Sequence, residues 1–125
     1  MRESKLWFWH ILSGVVILVL LGIHMGIMHL GVIWSALGMG SADPVKSAEV
    51  FHRSQQAIFM VTYIVLLGAA LFHGLYGFRS MLLELSLSKT LEKALGGLCA
   101  VAGFVLFIYG SYVAVAVFQM KGVQP

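Results

Sequence analysis

Five histidines stand in this chain, and their surroundings decide what each can do. His24 and His73 fall deep inside long uncharged stretches, His29 lies nearer the far end of the first stretch, and His10 and His52 lie at the interfacial ends of such stretches. An imidazole in hydrocarbon is costly unless something binds it, so an ionisable ring at that depth is a functional candidate by default. The competing role is a hydrogen bond to a neighbouring helix.

Small residues crowd both deep histidines. Ala69, Ala70, Gly74 and Gly77 lie at i−4, i−3, i+1 and i+4 of His73, and Gly22 and Gly26 flank His24, with Ser13 and Gly14 about three turns earlier. The helix surface on both sides of the His73 imidazole is thereby stripped nearly to backbone. Close approach of another helix uses such glycines, and Gly22-x-x-x-Gly26 is a known packing pattern. A flat macrocycle lying against the helix accounts for the gap and the imidazole together, since histidine is a common axial ligand of haem iron. His24 and His73 are therefore the candidate metal ligands. His29, five residues after His24 and about 140° round the helix, is the other candidate on that stretch, on a different face. At His10 and His52 a solvated, hydrogen-bonded or proton-handling role suits an interfacial position better than ligation.

Depth separates the two deep histidines. His24 lies 17 residues beyond Trp7, roughly 25 Å along a helix. His73 lies ten residues before Leu83, roughly 15 Å from the same side if the next span runs back. Two ligands of one iron must face each other at nearly one level, so two haems at two depths, each completed by a partner's histidine, fit this spacing better.

The elements that hold these residues follow from composition. The chain has 125 residues, 60% hydrophobic and 10% charged, with a mean hydropathy of +0.95. A soluble domain is about one-quarter charged. Three uncharged stretches, Leu6 to Gly40, Ser54 to Phe78 and Ala94 to Met120, each exceed the roughly 20 residues that cross a bilayer. Too little chain remains for a soluble catalytic domain, a nucleic-acid module or a disulfide scaffold. The lone Cys99 cannot form a disulfide, zinc or iron–sulfur site by itself. The first apolar run is too long for a signal-peptide core and reads as a retained span.

The expected fold is an all-α membrane protein, a single domain over 1–125, with helix 1 at about 6–38, helix 2 at about 54–83 and helix 3 at about 92–119. Lipid offers the backbone no hydrogen-bond partner, and three spans cannot close a β-barrel. Arg2, Lys5, Arg79, Lys89 and Lys93 fall on one side, Lys46, Arg53 and Lys121 on the other, five against three. The positive-inside rule then puts the N-terminus inside and the C-terminus outside. Trp7, Phe8, Trp9 and Trp34 mark the membrane edges of helix 1. Ser41 to Arg53 is the outer loop, with a short interfacial helix over 45–52, and Ser88 is the N-cap of helix 3.

Three segments carry a family resemblance. His10-Ile11-Leu12-Ser13-Gly14 resembles the His-Arg-x-Ser-Gly opening of the cytochrome b subunit of succinate dehydrogenase and fumarate reductase, respiratory complex II. His73-Gly74-Leu75-Tyr76-Gly77, followed by Phe78, Arg79 and Glu84, is similar to the second-helix His-x-x-x-Gly pattern of both membrane anchors, which ends in an acid. Phe104 to Phe118, with Ile108-Tyr109-Gly110, is similar to the last helix of the smaller anchor. Ile11 stands where the family has Arg, and Leu85 where a Tyr often follows the acid, so neither position is assigned to quinone. Gly22-Ile23-His24 resembles the helix-1 ligand of two-haem members.

The resemblance implies an anchor subunit of the cytoplasmic (inner) membrane of a bacterium or archaeon. Such an anchor binds haem b, one or two shared with a second membrane-anchor subunit, and passes electrons between an iron–sulfur subunit and menaquinone or ubiquinone. A flavoprotein subunit interconverts succinate and fumarate, the tricarboxylic acid cycle step. His24 and His73 become axial ligands, and Arg79 pairs with a haem propionate or simply anchors the inner edge. Ser13 bonds a quinone carbonyl or its own helix. The alternatives are the haem b subunit of another quinone-linked enzyme, of formate dehydrogenase or hydrogenase type, and a haem-free transport or assembly protein. A transporter of this size should hold a charged residue near midplane, and none of Asp43, Glu49, Glu84 and Glu92 lies there.

Overall fold

A computed structural model describes residues 2–39 and 42–120. Gly40, Ser41 and Lys121, which entered the span limits, the outer loop and the charge count, lie outside the described residues. The described chain is helical in order α1 (Arg2–His29), α2 (Gly31–Ala36), α3 (Ser47–Ser54), α4 (Ala57–Leu83) and α5 (Lys89–Gln119). Three stretches, Ser4–His29, Ala57–Leu83 and Lys89–Gln119, are long and apolar enough to cross a membrane. The shortest has 26 residues, or about 39 Å of helix against a hydrocarbon core of about 30 Å.

The helix expected over 6–38 is divided. α1 ends at His29, Leu30 leaves helical geometry at φ −103° and ψ 24°, and α2 resumes at Gly31. The backbone ladder nearly survives the break, with Leu30 N–H donating to the Gly26 carbonyl at 3.1 Å and Trp34 N–H to that of Leu30 at 2.9 Å. The Trp34 indole N–H also donates to the Gly26 carbonyl, at 3.0 Å. Gly31 is the pivot, because a Cβ there would collide with the ring of Pro44 on the returning loop. α2 stops in a Schellman turn. Gly38 takes φ +73°, Gly38 N–H reaches the Ser35 carbonyl at 3.0 Å and Met39 N–H that of Trp34 at 2.7 Å.

The amphipathic α3 lies within the expected outer loop. It is tied to the end of α5 by the Gln55 side-chain amide, which donates to the Met120 carbonyl at 2.6 Å. At the opposite end Ser88 caps α5, its hydroxyl accepting from Leu91 N–H at 3.4 Å. The ends of α1, α4 and α5 thus alternate across the molecule.

α4 is the middle helix, packed on α1 along one side and on α5 along the other, while α1 and α5 do not touch among the described residues. The three spans form a row rather than a closed bundle. Among the described residues the buried positions are Gly31, Pro44 and Ser13, the last 8% exposed, and no large apolar side chain is buried. A soluble protein built this way would have no core. In lipid the apolar flanks need no protein cover, and close packing at small residues holds the row together.

Candidate functional site

The α1–α4 seam is built by two copies of one pattern, His-x-x-x-Gly, at His10–Gly14 and at His73–Gly77. The helices are antiparallel, so each histidine rests on the other's glycine. A Cβ on Gly14 would lie 3.0 Å from His73 Cε1, and a Cβ on Gly77 would lie 3.3 Å from His10 Cε1. A side chain at either position would push the ring above it away. The two imidazoles consequently stack, with centroids 4.1 Å apart and planes 7° from parallel. Tyr76 adds a tilted ring 5.0 Å from His10.

Hydrogen bonding fixes where the proton of His73 sits. Its Nδ1 lies 3.1 Å from the His10 carbonyl oxygen. The Ser13 hydroxyl donates to that same carbonyl at 2.7 Å and stands 3.5 Å from the ring nitrogen. A carbonyl can only accept, and the hydroxyl has already given its proton to it. Nδ1 is therefore the donor, and in the neutral ring the bare nitrogen is Nε2, which has no hydrogen bond among the described residues. A histidine that ligates metal normally has this arrangement, with the far N–H held by a carbonyl and the near nitrogen left as a lone pair. The donor set around His73 fits an axial ligand.

His24 is placed differently. It is half-buried, edge-on to Tyr63 with centroids 6.2 Å apart and planes at 75°. It opens onto a cavity of about 330 Å³ that Met28, Arg53, Thr62 and Tyr63 also line. A Cβ on either Gly22 or Gly26 would meet nothing within 4 Å. Among the described residues, no helix of this chain packs on that stripe. Tyr63 and His73 are ten residues apart on α4, roughly 15 Å, so His24 and His73 occupy different levels and are not brought together. His29 is exposed at the last turn of α1.

Arg79 is six residues past His73, about 120° round α4. It lies toward α5, its Nε 3.2 Å from where a Gly96 Cβ would stand. Tyr76, Cys99 and Gly103 share with it an apolar groove of about 490 Å³ between α4 and α5. Ser13, besides joining the histidine pair, borders a depression of about 370 Å³ with Leu6, Trp9, Ala69 and Phe72. At the other edge the Arg53 guanidinium donates to the Pro44 carbonyl and contacts Met28 Sδ at 3.4 Å. Sequence reasoning placed His10 at the interface and missed its pairing with His73. The repeated His-x-x-x-Gly spacing was the available signal.

No protein-family model matches this chain, and no solved structure matches it. A curated relative does. The succinate dehydrogenase hydrophobic membrane anchor subunit of Archaeoglobus fulgidus is 28% identical over 110 residues, which cover 88% of this chain and 86% of the relative. This chain is similar to that succinate dehydrogenase membrane anchor subunit along nearly the whole length of both chains.

Proposed function

We propose that this chain is the haem b-binding membrane anchor of a succinate:quinone oxidoreductase or quinol:fumarate reductase. The observation that carries the reading is the contact of His73 Nδ1 with the His10 carbonyl oxygen inside an apolar span, because a carbonyl only accepts and the tautomer that satisfies it leaves Nε2 free to ligate. The curated relative, named as a succinate dehydrogenase anchor, supplies the enzyme.

His73 would hold one haem iron through Nε2. His24, at a different level and on the rim of the cavity it shares with Tyr63, would serve a second, with His29 the other donor on that helix. When bound, haem b supplies a one-electron relay between the iron–sulfur subunit and quinone. The chain's own residues bind, orient and exclude water. Arg79, a cation at the end of an apolar groove, neutralises a propionate. The depression at Trp9 and Ser13 takes the quinone head, with Ser13 Oγ keeping lone pairs to accept a quinol hydroxyl while its own proton stays on the His10 carbonyl.

A row of three helices has no enclosed interior, which favours completion by a second membrane anchor; the flavoprotein and iron–sulfur subunits complete the enzyme. By the charge count they bind on the side of Arg79, Lys89 and Lys93, the cytoplasmic face of the inner membrane. The test is a reduced-minus-oxidised spectrum of the purified complex with His73→Ala and His24→Ala. Each substitution is expected to remove b-type haem absorbance.

A further inference from the structure

The pairing of His10 with His73 goes further than ligation, and the following rests on the reading of His73 as a ligand. We infer that His10 is the positioning residue of His73. Its carbonyl holds the Nδ1 proton and its ring fixes the plane of the His73 imidazole.

Two observations carry this independently of each other. The first is the bond from His73 Nδ1–H to the His10 carbonyl at 3.1 Å, supported on its other side by the Ser13 hydroxyl at 2.7 Å. The second is the stack at 4.1 Å and 7°. The His73 ring lies flat against the His10 ring, and a Cβ on Gly14 would stand 3.0 Å from its Cε1, so rotation about the Cβ–Cγ bond would break the stack and press the ring edge on its neighbours. A ligand lone pair lies in the ring plane, so a fixed plane fixes the direction from which Nε2 meets a metal.

His10 is in turn seated, by Gly77 beneath it and Tyr76 beside it. A partner histidine on each helix, each resting on the other's glycine, makes α1 and α4 a single rigid mount for the ligand.

The experiment is electron paramagnetic resonance of the ferric haem in membranes holding the assembled complex, comparing the parent with His10→Ala, His10→Phe and His10→Leu. The anisotropy of a low-spin haem reports the planes of its axial imidazoles. His10→Phe, which keeps a flat face, is expected to retain the parent signal. His10→Ala and His10→Leu are expected to shift and broaden its highest-g feature while haem is retained. Parent-like signals from all three variants overturn the inference. So does a His10→Phe signal displaced as far as that of His10→Leu, which would make the flat face irrelevant. Should His10→Ala fail to assemble, His10→Leu carries the same comparison with the volume filled. Absence of haem from the parent itself would instead overturn the proposed function, so the two failures are distinct.

Discussion

His10 and His73 lie face to face across the α1–α4 seam, 4.1 Å between ring centroids, and the backbone carbonyl of the first holds the Nδ1 proton of the second. Each ring lies against a glycine of the opposite helix. The stack and the hydrogen bond together hold the His73 ring in one orientation, and preorganisation of this kind would limit the ordering cost of binding under the proposed function.

Gly14 should be intolerant of side chains and Gly74 indifferent to them within this chain. A Cβ at 14 lies 3.0 Å from the His73 ring, whereas one at 74 meets nothing within 4 Å. Gly14→Val is expected to cost about 1–3 kcal/mol of seam packing and to lower the haem-to-protein ratio of the purified complex several-fold. Gly74→Ala should leave that ratio at the parent level if no partner helix covers it, and the haem ratio of the pair checks the asymmetry.

At the other end of the molecule the turn after α1 depends on Gly31. Gly31→Val would force the Pro44 ring away and is expected to destabilise the outer loop by about 1–3 kcal/mol. The thermal midpoint of the complex in detergent should fall, while the haem signal that depends on His73, toward the opposite edge, should be unchanged; any spectral change should be confined to the haem at His24, whose cavity Arg53 shares.

Arg79→Gln removes the cation and keeps a shorter, neutral polar side chain. With a propionate paired there, loss of the positive charge favours the ferric state. The midpoint potential of one haem should move negative by roughly 40 mV, the one-electron equivalent of about 1 kcal/mol. Redox titration followed at the b-type absorbance band measures it, and an unmoved potential removes Arg79 from the haem environment.

The spans were legible because an uncharged run of that length has few other fates, and Ser88 was legible as a cap because a hydroxyl before a periodic run has a specific partner to satisfy. The break at Leu30 was not legible, since the apolar letters Leu30, Gly31, Val32 and Ile33 continue the run without a breaker: only Pro44, thirteen residues beyond Gly31, reveals why the glycine matters. The role of His10 was obscured by where helix 1 begins. Measured from Trp7, His10 is three residues in; α1 actually begins at Arg2, which puts His10 eight residues from that end, close to the ten that separate His73 from Leu83. That shift of about one and a half turns brings the two rings to one level. The separation of His24 from His73 was legible from depth alone, because both positions scale with the same rise per residue.

The central claim is that His73 ligates through the nitrogen its α1 partner leaves bare, and difference spectroscopy of His73→Ala addresses it most directly. The claim predicts loss of at least one b-type haem from the assembled, subunit-complete enzyme, with the remainder removed by His24→Ala. A complex that assembles with its full haem absorbance after His73→Ala would contradict it.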